Sequence, residues 1–367
     1  MSLVLGERMR IALAPPRYIA LPFAGIDIST SGVKAVRLLE RPHGLELGAY
    51  AEELLPPGAF ADGEFADPAA ITTAIAAVAS RAGITCANAA LPESKSYLFE
   101  TSVPGEDKGA WRVLLEQRLD ELVPLPPAET VFDVISVGER AEGATTVVGL
   151  AFARRVVDQT LAAFDAAAVP VAAFEGETFA MARALLPEGD TSTTLIIDVG
   201  KTTTKLAIVA SRIPHFATTI GIGGHAFTLA VQKHFGVSES EARKVKSERG
   251  IVPEAGNEDY LATMLSTVSA IRDEILRRLE YWQNHQAQGG AHERVSRAIL
   301  AGGNASVRGL PEYLESALGV PVTPGDVFTN FAPRSTWVTE LNPAASLAYT
   351  TAIGLALRDR TRPTHVS

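Results

Sequence analysis

The chain has 367 residues, 47% of them hydrophobic and 20% charged, which provides for more than one core and argues against long disorder. A formal net charge of −9 excludes general nucleic-acid binding through a basic surface. A single cysteine, Cys86, excludes an internal disulfide and fits a reducing compartment.

Residues 1–23 mix Glu7, Arg8, Arg10 and Arg17 with prolines and lack the apolar core of a signal sequence, so an extension outside the fold is expected there. No stretch reaches the roughly 18–20 apolar residues that cross a bilayer. From Ala24 to about Glu53 the pattern predicts an antiparallel meander. A connection over 54–68 leads to a helix that Asp67-Pro68 opens, that Ile71, Ile75 and Val78 stripe, and that Gly83 ends. A strand over 87–91 completes a first unit, 24–91.

Residues 92–174 change texture and read as a small α+β subdomain inserted into the larger fold. The elements are a strand over 97–103, a helix over 110–123, strands over 130–137 and 145–152 around a turn at 138–143, a helix over 154–167 and a strand over 169–174. Trp111, Leu115 and Leu119 are assigned to that subdomain's core. A connecting helix opened by Glu177 lies within 175–194. The second unit, 195–340, has strands around residues 197 and 206–209 and a glycine-rich run over 220–224. Helices follow over 225–235, from Ser238 with a capping box to Glu241, and over 258–285. A strand over 297–300 breaks into Ala301-Gly302-Gly303-Asn304-Ala305 before a helix over 309–318. A last helix over 343–357 lies in 341–358, and 359–367 is a short polar tail without an amphipathic membrane helix.

One phrase occurs twice. Ile26-Asp27-Ile28-Ser29-Thr30-Ser31-Gly32-Val33-Lys34 returns as Ile197-Asp198-Val199-Gly200-Lys201-Thr202-Thr203-Thr204-Lys205. In each, an apolar strand ends in Asp, a small hydroxyl-rich turn follows, and Lys stands seven residues beyond the Asp. Such a turn can aim several N–H groups and hydroxyls at one phosphate. An Asp at the strand end suits Mg²⁺, which prefers oxygen ligands and keeps much of its water. Two turns facing each other would hold a polyphosphate from both sides.

The set of motifs resembles the actin, Hsp70 and sugar-kinase superfamily of ATP-binding proteins, and within it the PilM family of type IV pilus assembly. The paired phrases look like the two phosphate loops, and the run from Ala301 to Leu310 looks like the adenosine loop. Family-like pieces continue through Ala90-Leu91-Pro92, Glu177 to Leu185, Ile222 to Thr228, Glu241 to Lys246 and Leu341-Asn342-Pro343.

The resemblance implies an α/β, actin-like two-lobed fold of duplicated ribonuclease H-like subdomains, with ATP and Mg²⁺ between the lobes. It implies nucleotide contacts from Asp27, Ser29, Thr30, Ser31, Gly32 and Lys34, and from Gly200, Lys201, Thr202, Thr203 and Lys205. Gly223, Gly224, Glu241, Lys246, Gly302, Gly303, Asn304 and Arg308 complete the set. Asp27 and Asp198 would hold the metal, and Glu177 with Asp198 would be catalytic in any hydrolysis. The family often has Gly where Ser29 stands, and a small residue where Lys201 stands. The implied partner is the N-terminal peptide of a PilN-like inner-membrane protein, captured beside the insert. That peptide would bring a cytoplasmic protein to the membrane without insertion of its own; self-association is left open. A related secretion machine in place of the pilus is left open, and a division-filament protein like FtsA and a small-molecule kinase of the same superfamily are the alternatives.

Overall fold

The computed structural model describes residues 24–105, 107–140, 143–287 and 294–358. The expected extension over 1–23, the tail over 359–367 and the middle of the 138–143 turn lie outside the described residues.

Strand β1 (Ala24–Ser29) sends Ala24, Ile26 and Ile28 into a core, so period-two alternation turns Gly25 and Asp27 to the opposite face. It pairs antiparallel with β2 (Gly32–Arg41), and β2 with β3 (Gly44–Leu54). A small hairpin, β4 (Phe60–Ala61) and β5 (Glu64–Phe65), fills the following connection. Helix α1 (Pro68–Ala82) starts as expected: Ala70 N–H donates to Asp67 Oδ1 at 3.0 Å, and Gly83 closes the helix in the left-handed region. Ile71, Ile75 and Val78 pack on the β1 core. Strand β6 (Ala87–Leu91) then adds parallel to β1.

The insert is a three-stranded antiparallel sheet with the last of its strands in the middle. After β7 (Ser96–Pro104), helices α2 (Lys108–Gln117) and α3 (Leu119–Leu122) replace the single predicted helix, the break falling at Arg118. Trp111, Leu115 and Leu119 are buried with Phe99 and Val147 between these helices and the sheet, as core residues of the insert. Strands β8 (Thr130–Arg140) and β9 (Ala144–Ala153) complete it.

Helix α4 (Arg154–Ala166) and strand β10 (Val171–Gly176) depart from the expected boundary. Ala163 and Phe164 sit in the first-lobe core, and β10 pairs parallel with β6. The insert therefore ends near Ala153, shorter than the predicted 92–174.

Helix α5 (Glu177–Leu185) leads to the second lobe. There β11 (Thr194–Val199), β12 (Thr204–Ala210) and β13 (Ile213–Ile220) form a second meander. Nothing in the sequence reading anticipates β13. Its turn, Ser211-Arg212, has φ of 49° and 66°, the twist of a two-residue hairpin loop that Asn-Gly ordinarily signals. Helices α6 (Gly224–Phe235), α7 (Glu239–Arg249) and α8 (Glu258–Ala287) follow. Then come β14 (Arg297–Ala301), α9 (Leu310–Leu318) and the short edge strand β15 (Val322–Pro324).

The second sheet, β13-β12-β11-β14-β15, repeats the first, β3-β2-β1-β6-β10. In each, two parallel neighbours extend an antiparallel meander. The predicted last helix is broken into α10 (Pro343–Ser346), a 3₁₀ turn and α11 (Thr350–Ala356). α11 returns to the first lobe and crosses β1 at Gly25, where a Cβ would collide with Ala352 O.

Candidate functional site

The seven-residue spacing has a structural cause. Asp27 lies opposite Lys34 in the β1–β2 register, and Asp198 lies opposite Lys205 in the β11–β12 register. Each phrase is thus a hairpin with Asp on the incoming strand, Lys across from it, and the turn ahead. The two turns meet. Thr30 Oγ1 and Thr202 Oγ1 are 2.8 Å apart, at the rim of a cleft of about 940 Å³ between the lobes.

Most of the expected contact residues line this cleft; Gly32, Thr202, Gly223, Glu241 and Arg308 do not. Gly32 packs against β3, where a Cβ would strike Glu53 O. Gly223 caps α6 beside the second turn. Glu241 is spent on its capping box: Ser238 N–H donates to Glu241 Oε2 at 2.9 Å. Two residues on, about 200° around the helix by helical geometry, Arg243 lines the cleft instead, with Lys246 and Ser247. Arg308 donates to Glu248 O at 2.7 Å, bracing the end of α7.

Charge is concentrated at the floor. Lys205 Nζ lies 2.8 Å from Glu177 Oε2 and 3.6 Å from Asp198 Oδ2. Burial pulls Lys205 down, but the carboxylates of Glu177, Asp198 and Asp27 outweigh it and hold the ammonium above its ordinary range. Burial lifts Glu177 to about 7, against the opposing pull of Lys205. Burial also raises Asp27, which Lys205 and Lys34 only partly offset. Asp27 Oδ1 is buried with no hydrogen-bond partner, an arrangement that costs free energy unless something else satisfies it. Lys34 is held on its own lobe, 3.1 Å from Glu52 Oε1 and 3.0 Å from Ser31 Oγ. Ser29 Oγ is engaged within the first turn, 3.0 Å from Gly32 O, whereas Lys201 reaches the cleft wall.

At the far wall, Lys246 Nζ donates to Asn304 Oδ1 at 2.7 Å and to Gly224 O at 3.2 Å. Burial, with help from Arg243, lowers Lys246 to about 8. Asn304 Nδ2 donates to Gly200 O at 2.8 Å, joining the adenosine-type loop to the second turn. The two glycines before it differ. Gly302 has φ of 87°, and a Cβ there would drive into Asp198 Oδ1. Gly303 has ordinary backbone, and the nearest atom to its Cβ would be 3.7 Å away. The protein itself does not need glycine at 303, yet the position opens on the cleft.

The residues fit a metal–polyphosphate ligand. Two aspartates, one of them with an unpartnered oxygen, offer hard oxygen donors, and Mg²⁺ is ordinarily held by one or two carboxylates plus phosphate and water. Around them stand the cationic Lys34, Lys205 and Lys201 and the hydroxyls of the two turns, with the acids Glu52, Glu93 and Glu177 also on the lining. Sequence reasoning missed Glu52, Glu93, Arg243 and Ser306 on the lining. Arg243 carried a signal, three residues before Lys246 on a helix; Glu93 carried none.

A family model described as type IV pilus assembly protein PilM matches residues 25–360. The chain belongs to that family. The fold is accordingly actin-like, and the role is in type IV pilus assembly; neither the division-protein nor the kinase alternative is favoured. A solved PilM–PilN type IV pilus biogenesis complex is similar at 22% identity and TM-score 0.75, over 93% of this chain and 98% of that one. MreB5 of Spiroplasma citri bound to AMPPNP is similar at 16% identity and TM-score 0.54, over 93% and 97%. The ethanolamine utilization protein EutJ from Carboxydothermus hydrogenoformans gives 15% and 0.52, over 94% and 90%.

Proposed function

We propose that this protein is a nucleotide-dependent scaffold that binds ATP with Mg²⁺ between its lobes and captures the N-terminal peptide of a PilN-like inner-membrane protein. One observation carries the nucleotide half: two like hairpins meet tip to tip, Thr30 to Thr202, beside buried aspartates of which one has an unsatisfied oxygen. Asp27 and Asp198 would hold the metal. Lys34, Lys205 and the hydroxyl-rich turns would hold the phosphates, and the space over Gly303 would admit the nucleoside. Bound ATP would supply the negative charge that draws the lysines of both lobes toward one ligand. Turnover would be slow, because Glu177 Oε2 is occupied by Lys205 and by Glu93 N–H, and catalysis in such sites rests on positioning and charge.

For the peptide half, the similarity to a PilM–PilN complex supplies the partner class. A second cavity, about 490 Å³, runs between Tyr97 and Leu125 of the insert and Arg154, Arg155 and Val156 of the first lobe. It is our candidate seat for the peptide. Among the described residues no helix is long and apolar enough to cross a membrane, so the partner would provide the membrane attachment.

Titrating a fluorescent ATP analogue with Mg²⁺, and separately a labelled N-terminal peptide of a PilN-like protein, tests both halves. Asp27→Ala with Asp198→Ala should weaken nucleotide binding by about 100-fold or more, roughly 2.7 kcal/mol. Tyr97→Ala should weaken the peptide about tenfold. Unchanged nucleotide affinity in the double variant would sink the nucleotide half.

A further inference from the structure

Glu93 is buried and ionisable, and the grip described above makes no use of it. It stands just after β6, at the root of the insert, while Glu177 stands just after β10. Those strands are parallel neighbours with Leu91 beside Gly176, so the two carboxylates emerge side by side. They are cross-wired. Glu93 N–H donates to Glu177 Oε2 at 3.1 Å, and Thr178 N–H donates to Glu93 Oε2 at 3.1 Å. Helix α5 has no side-chain cap at Gly176, and Glu93 satisfies one of its orphan donors from outside. The Ser96 hydroxyl donates to Glu93 Oε1 at 2.7 Å, tying in the first residue of β7.

The Glu177 oxygen that accepts the Glu93 amide is the same one that meets Lys205. One atom therefore joins an ammonium of the second lobe to the root of the insert. The insert has another hold on that lobe, through Glu100 of β7 and His215 of β13 at 2.7 Å. Two buried carboxylates so close need a cation or a proton beside them, and among the described residues Lys205 is the cation within ion-pairing distance of Glu177.

We propose that Lys205, Glu177 and Glu93 form a transmission: phosphate charge in the cleft competes for Lys205, loosens the crossed carboxylates, and releases the insert from its seat on the first lobe. Glu93 is a positioning residue that acts through Glu177. The inference rests on the nucleotide reading above, and the chemistry it needs is an anionic phosphate, carried by a nucleotide or as the inorganic ion.

Hydrogen exchange on the full chain reads this directly, with a non-hydrolysable ATP analogue and Mg²⁺, inorganic phosphate or adenosine as separate additions. With the analogue, the Glu93 and Thr178 amides should exchange at least about fivefold faster while the hairpin tips, 29–32 and 200–203, exchange more slowly. The same acceleration by phosphate alone assigns the trigger to the anion; its restriction to the analogue assigns it to the nucleotide. Acceleration by adenosine, which carries no phosphate, overturns the proposal. Glu93→Ala should expose Thr178 without any ligand and abolish the response. Glu93→Gln keeps the acceptor and should restore the protected ligand-free state; if the alanine variant does not fold, the glutamine variant and the wild-type signs carry the test. Protected hairpins with unchanged exchange at Glu93 and Thr178 would overturn the transmission and leave nucleotide binding standing. No protection at the hairpins would overturn both.

Discussion

Lys34 and Lys205 hold the same register position in two copies of one hairpin, yet they face different partners. Lys34 stays at home, paired with Glu52, which is 35% exposed, on the adjoining strand. Lys205 crosses between lobes to Glu177, which is 3% exposed. The lysine of the first hairpin is paired within its own sheet; that of the second is a joint between lobes. The cause lies outside the repeated phrase. The strand next to β2 carries Glu52 opposite Lys34, whereas the strand next to β12 carries Thr219 opposite Lys205. With no acid on β13 beside it, Lys205 keeps Asp198 of β11 at 3.6 Å and makes its nearest pair, at 2.8 Å, with the carboxylate that opens α5.

The comparison is most exposed to a pair of charge deletions. Lys205→Met should cost about 3 kcal/mol of stability, since removing one partner leaves a buried charge uncompensated. Lys34→Met should cost under about 1 kcal/mol, because its half-solvated partner can be hydrated. Urea denaturation of the two variants checks this, and equal losses would refute the asymmetry.

A second contrast separates residues that the fold needs from residues that a ligand needs. Gly302→Ala should destabilise by about 2 kcal/mol through its left-handed φ and its collision with Asp198. Gly303→Ala should leave the melting temperature nearly unchanged and weaken nucleotide binding about tenfold. A stable, fully binding Gly303→Ala protein would remove that residue from the site.

The smallest effect is in pH. Glu177 is raised from 4.5 to about 7, so its protonated form favours the fold fully below pH 4.5, and that contribution is lost as pH rises through 7. Thermal stability without ligand should therefore fall between pH 5 and 7.5 more steeply in wild type than in Glu177→Gln.

Much of the frame was legible because it is written locally. The Asp67-Pro68 start and Gly83 stop of α1, and the Ser238–Glu241 box of α7, involve donors and acceptors a few residues apart. The hairpin repeat was legible for the same reason, since a seven-residue spacing sets an antiparallel register by itself. Strand β13 was not, because its turn adopts positive φ at Ser211 and Arg212 without the residues that favour it. The end of the insert was misjudged because α4 is an ordinary amphipathic helix whose apolar face does not say which core it serves; Phe164 packs against the first lobe. Glu241 and Arg308 looked like ligand contacts and are instead spent on the ends of α7.

By itself the sequence determined the two hairpins and the helix caps, because periodicity, caps and turn chemistry act between near neighbours in the chain, while the two-lobed fold and the family were implied by resemblance to known proteins. Only the tertiary structure decided what each charge is for. It brought Thr30 to Thr202, Lys205 to Glu177 and Glu93 to Thr178 across separations that no local pattern encodes, and in a buried cleft the partner a charge finds determines both its protonation and its use.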